Sequence, residues 1–129
     1  MSERWKDWLA QAKKDLKHSE NACASSDFEW YCFSSQQAAE KAIKAVFLRL
    51  HGEGWGHSAY GLLKALNEKV VVGEDIIEAA KTLDKHYIPT RYPNGFDSGK
   101  PADYYTKKDA LEALNNAERI IGFCEGLLR

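Results

Sequence analysis

The chain has 129 residues, 44% of them hydrophobic and 29% charged, a balance that excludes a disordered protein and belongs to a globular one. Its net charge of -1 excludes a surface that attracts nucleic acid or anionic lipid everywhere, so any contact with RNA needs a local basic patch. One core suffices at this length, and with no low-complexity linker or internal repeat, residues 1–129 read as a single domain.

Taken in order, the first predicted helix runs from about Ser2 to Cys23. Trp5, Trp8, Leu9, Ala12, Leu16, Ser19 and Cys23 recur at three- and four-residue steps and share one face, while Lys6, Asp7, Lys13, Lys14 and Lys17 take the other. Ser25-Ser26-Asp27 ends this helix and offers an N-cap to the next. The second helix, Phe28 to His51, is apolar on more than one side, which predicts a central position. Ala38, Ala39, Ala42 and Ala45 would let neighbours approach closely, and Gly52, Gly54 and Gly56 are expected to stop the helix. Ser58 caps a third helix, Ala59 to Lys69. Val70-Val71-Val72 is too short for a strand and reads as the end of a helix and a turn. A fourth helix follows Gly73, with Ile76, Ile77, Ala80, Leu83 and Tyr87 in register, and Pro89 ends it.

Residues 88–105 hold all three prolines and several aromatic rings, which predicts an irregular loop packed on the bundle rather than a disordered one. Thr106-Lys107-Lys108-Asp109 resembles a capping box, and a last helix carries Ala110, Leu114, Ala117, Ile121, Cys124 and Leu128. The expectation is all-α: an up-and-down bundle of about five helices with an aromatic-rich loop between helices 4 and 5. No uncharged run approaches the ~20 residues of a membrane span. Cys23, Cys32 and Cys124 fit no metal spacing and sit among apolar neighbours, so they read as buried thiols in a reducing cytoplasm, with no metal and no cofactor expected.

No P-loop, nucleophile elbow or zinc-protease motif is present. His57 stands before a helix start in a glycine-rich turn. It is either a surface residue of the turn or an anion contact or acid–base group. Gln36, Glu40 and Lys41 lie on the most buried helix and need partners, either within the bundle, across a dimer, or in a cleft that they line. Glu40 and Lys44 also form an i,i+4 pair. Arg91 stands between aromatics just before a proline, suited to phosphate recognition and ring stacking, or to clasping its own loop. Tyr87, Tyr92 and Tyr105 could stack on a base or donate hydroxyls.

The run Trp30-Tyr31-Cys32-Phe33-Ser34-Ser35-Gln36-Gln37-Ala38-Ala39-Glu40-Lys41-Ala42-Ile43-Lys44-Ala45 resembles the second-helix signature of the HEPN family, the higher-eukaryote and prokaryote nucleotide-binding domain. His57-Ser58 with Leu62-Leu63, then Tyr87 with Arg91-Tyr92-Pro93, follow in the family's order, so the resemblance covers nearly the whole chain. It implies a helical bundle that forms homodimers and is often encoded beside a minimal nucleotidyltransferase as half of a toxin–antitoxin pair. Some members are metal-independent ribonucleases with an Arg-x(4–6)-His motif; others bind nucleotides or proteins without catalysis. Here no histidine follows Arg91, and seven residues separate Arg49 from His57. The expected function is therefore a module for a nucleotide or other phosphate-bearing ligand, held by His57, Arg91, Tyr87, Tyr92, Tyr105, Gln36, Glu40 and Lys41. The alternatives are a ribonuclease toxin and, given Trp5, Trp8 and Trp30, a protein-interaction module.

Overall fold

The computed structural model describes residues 3–129, and all regular structure among them is helical. The helices are α1 (Arg4–Ala24), α2 (Phe28–Arg49), α3 (Ala59–Leu66), α4 (Glu74–Asp84), α5 (Pro101–Tyr104) and α6 (Lys107–Leu128), with a 3-10 turn at Pro93–Gly95. The sixth helix, beyond the five that periodicity predicts, is the single turn α5 inside the aromatic-rich loop. Pro101 opens it with a ready-made helical φ, and the Asp103 carboxylate accepts from the Lys100 N–H. At residue 2 the predicted first helix lies outside the described residues.

α2 is the hub and packs against every other α-helix. Its Ala38, Ala39, Ala42 and Ala45 are fully buried, as are Ala110, Ala117 and Ile120 of α6, so side chains of one or a few carbons set the spacing of these two helices. α1 crosses the other side of α2. There the buried Ser19 hydroxyl donates to the Tyr31 carbonyl (2.9 Å) and meets the Ser35 hydroxyl at 3.0 Å, which explains a polar residue on the inward face of α1.

Several ends differ from expectation for local reasons. α2 stops at Arg49, and His51, not a glycine, takes the left-handed conformation (φ 64°). Gly54 is needed instead for close approach, because a Cβ there would meet Leu62 and Phe47 at 3.0 Å. α3 ends at Leu66, a turn before Lys69, and Asn67 Oδ1 accepts from Val72 N–H (2.9 Å) to close the valine turn. α4 ends at Asp84 rather than Pro89: Lys85, His86 and Tyr87 bond three residues back, tightening the chain before the proline. The loop that follows is packed, with Thr90 buried and the Phe96 and Tyr104 rings stacked 4.3 Å apart. Among the described residues no helix is long and apolar enough to cross a membrane.

Candidate functional site

The central helix carries Gln36 and Glu40 into the interior on the side that faces the turn before α3. Gln36 is fully buried, and its amide nitrogen donates to the His57 carbonyl (2.8 Å) and to Asp84 Oδ1 (3.2 Å), while its oxygen accepts from Gln37 (2.9 Å). One side chain thus joins α2, the turn before α3 and the end of α4. Four residues on, buried Glu40 accepts from Lys44 Nζ (3.1 Å), and its two oxygens lie 3.2 and 3.3 Å from His57 Nδ1. A carboxylate only accepts, so Nδ1 carries the proton in this contact.

Asp84, which local sequence does not mark, holds the start of α3. Its Oδ1 accepts from Ala59 N–H (2.8 Å), and its Oδ2 accepts from Tyr60 N–H (3.0 Å) and the Ser58 hydroxyl (2.7 Å). Ser58 Oγ in turn accepts from Gly61 N–H at 2.9 Å, the predicted cap. The anion expected at this helix N-terminus is therefore the protein's own carboxylate.

The exposed His57 ring stacks on Tyr87 at 5.2 Å and 14°. Arg91 reaches back one turn and donates from Nε and Nη2 to the Tyr87 carbonyl (3.0 and 2.7 Å). Its guanidinium lies 4.4 Å from the Phe33 ring centroid, 4.7 Å from that of Tyr87 and 5.3 Å from that of Tyr92. Arg91 is thus a clasp on its own loop, and its Nη1 still has donors to offer a ligand. Beside this stack lies a cleft of about 400 Å³, lined by His57, Ser58, Asp84, Lys85, Tyr87, Ile88 and Pro89, within the size range of small-molecule sites.

Gln36, Glu40, His57, Tyr87, Arg91 and Tyr92 therefore share one neighbourhood. Lys41 and Tyr105 do not. Lys41 turns toward α1 and pairs with Asp15 at 2.5 Å. Tyr105 packs edge-on to His86, with its hydroxyl 3.5 Å from Nδ1, and burial raises its pKa to about 12. Burial also holds His86 below the usual imidazole range. Arg49 lies 6.0 Å from the Trp5 ring centroid. Among the described residues no hydrogen bond joins it to His57, whose Nδ1 faces Glu40 instead. Asp84, Phe33, Lys85 and Ile88 were missed. Only Phe33 has a sequence signal, standing one turn before Gln36 and Gln37 on the same helix. Among the described residues no cluster of three His, Cys, Asp or Glu side chains forms a metal site.

Comparison with known proteins agrees with this architecture. The family model described as HEPN domain matches residues 5–127. The crystal structure of TT1696 from Thermus thermophilus superposes with a TM-score of 0.95 at 46% identity, covering 98% of this chain and 100% of that one. That of ST0689, described as an archaeal HEPN homologue, gives 0.85 at 38% identity, covering 99% and 100%. A Methanocaldococcus jannaschii protein named "Putative toxin MJ1304" is 25% identical over 132 residues, 95% of this chain and 86% of its own length. A match across almost the full length, on a bundle whose second helix and third-helix turn build the site, places the chain in the HEPN domain family.

Proposed function

We propose that the chain is a toxin-like HEPN module that binds a nucleotide or another phosphate-bearing ligand in the cleft beside Tyr87. The observation that carries this reading is the shared ring: Tyr87 is stacked on by His57 and approached by the Arg91 guanidinium, at the wall of an apolar cleft. A base fits against Ile88, Pro89 and the Tyr87 ring. Its phosphate then meets Lys85 and the Arg91 guanidinium beside the Tyr87 ring. The resemblance to MJ1304 supports a toxin-like role, and the family pattern adds a homodimer and a minimal nucleotidyltransferase partner to the proposal.

Titration calorimetry with AMP, ATP and GTP tests the ligand. Micromolar binding of at least one is expected, reduced about tenfold or more by Tyr87→Ala, and absence of heat with all three overturns the reading. A second reading, a metal-independent ribonuclease, has one observation in its favour: a buried carboxylate orients an exposed histidine, the arrangement of an acid–base pair. Cleavage of total RNA in EDTA that His57→Ala abolishes would establish it, whereas intact RNA at enzyme excess removes it.

A further inference from the structure

Of the asparagines at positions 21, 67, 94, 115 and 116, Asn94 alone is followed by glycine. It sits in the 3-10 turn Pro93–Gly95 of the aromatic-rich loop, and both residues of the pair are exposed. Phe96 N–H closes the turn by donating to the Pro93 carbonyl (2.9 Å). Among the described residues the Asn94 side chain makes no hydrogen bond. Asn67, by contrast, is held by Val72 N–H, and Asn116 is buried in α6. The fold gives no reason for glycine at position 95. Its φ lies outside the left-handed region, and a Cβ built on it meets nothing within 4 Å.

What the glycine changes is reactivity. With no side chain to shield it, the Gly95 main-chain nitrogen is free to attack Cγ of the Asn94 amide. A bond forms between them, the Cγ–Nδ2 bond breaks, and the Gly95 amide proton departs with the side-chain nitrogen as ammonia. Water then opens the cyclic imide at either carbonyl. One opening leaves aspartate. The other leaves isoaspartate, in which the main chain runs through the former side chain and is one carbon longer. We propose that Asn94-Gly95 is a self-modifying site, at which the folded protein loses ammonia and becomes a mixture of aspartate and isoaspartate forms. The attack needs the turn to open, and an exposed three-residue turn lies at the low end of local stability. The site also lies between two ring contacts. The Tyr92 ring centroid before it is 5.3 Å from the Arg91 guanidinium, and Phe96 after it stacks on Tyr104 at 4.3 Å. Isoaspartate lengthens the chain between them, so one of the two contacts shifts. Either product adds one negative charge to a chain of net charge -1.

The test holds the folded full chain at mildly alkaline pH and body temperature for several weeks. Samples are digested briefly with trypsin, and the peptide that begins at Tyr92 is followed by mass spectrometry after chromatographic separation of the two products. It is expected to exchange its amide NH2 for a hydroxyl, with isoaspartate in excess, while the other asparagine peptides stay intact. Gly95→Ala should slow the change about tenfold or more and leave Tm unchanged, because the added methyl enters open space. The isolated isoaspartate form should show shifted aromatic proton resonances for Phe96 and Tyr104. Freshly prepared Asn94→Asp, which has the charge without the added carbon, should keep those of the unmodified chain. The proposal is overturned if Asn94 stays intact over that time, if it reacts only after unfolding in guanidinium, if Gly95→Ala reacts as fast as the wild type, or if aspartate is the sole product, which means direct hydrolysis without the imide. An isoaspartate form with unshifted Phe96, Tyr104 and Tyr92 rings overturns the effect on the loop.

Discussion

At the residue scale, the site is held by a few polar side chains whose partners lie on three different elements. Removing one leaves buried groups without a bond, at about 1–3 kcal/mol each. Glu40 is the sharpest case, because Lys44 Nζ, Gln37 and His57 Nδ1 all converge on it. Glu40→Ala is therefore expected to cost about 2–3 kcal/mol and to loosen the His57 ring. Chemical denaturation followed by circular dichroism reads the first effect, and an unchanged midpoint would show that water replaces the carboxylate without loss. Arg91 acts differently, since its two bonds to the Tyr87 carbonyl and its ring contacts are made by a planar group. Arg91→Ala should cost about 1–2 kcal/mol. Arg91→Lys should recover little of it, because an ammonium cannot make the paired contact from that position. A lysine variant as stable as the wild type would mean that charge alone holds the loop.

At the element scale, capping residues decide where helices begin. Thr106 and Asp109 exchange bonds at the start of α6: Asp109 N–H donates to Thr106 Oγ1 (3.2 Å) and Thr106 N–H donates to Asp109 Oδ2 (2.9 Å). Thr106→Ala is expected to lower stability by about 1 kcal/mol, a fall of about 2–8 °C in Tm, and Thr106→Ser should cost markedly less. This box was legible in the sequence because both partners lie within four residues, and so were the periodic faces of α1, α2 and α6. Features made by distant residues were not legible. Asp84 caps a helix that starts 25 residues before it, so the composition around residue 84 gives no hint of the bond. The same carboxylate explains why the anion slot read from the His57 turn is already filled. The grouping of Gln36, Glu40 and His57 could be suspected from burial and turn chemistry. The divergence of Lys41 from Glu40, adjacent on one helix, follows from the ~100° step between successive residues and is visible only once α1 is in place. The helix ends of α3 and α4 were overrun because their apolar spacing continues through turns that bond three residues back.

At the scale of the whole molecule, stability should depend on pH in a way set by a few interior groups. On the acid side, burial holds His86 below its ordinary 6.5. The unfolded chain then binds a proton that the folded chain resists, so the contribution of neutral His86 is complete above about 6.5 and is lost as pH falls through the folded value. On the alkaline side, burial raises Tyr31 and Tyr105 from 10.0 to about 12, and Cys32 and Cys124 from 9.0 to about 12. Here the unfolded chain releases protons first, so stability falls as pH rises from about 9 toward 12. Tm measured at constant ionic strength should accordingly plateau between about 6.5 and 9 and decline on both sides. The limbs are separable because they rest on different residues. His86→Gln should shallow the acid limb and leave the alkaline one in place, while Tyr105→Phe should do the opposite. If His86→Gln leaves the acid limb as steep as before, burial of His86 does not set that limb. Thiol labelling gives an independent check of the alkaline side. At pH ~8 the folded protein should react with iodoacetamide at half-buried Cys23 alone, because Cys32 and Cys124 are buried and stay protonated, and they should react only at the rate at which the bundle opens.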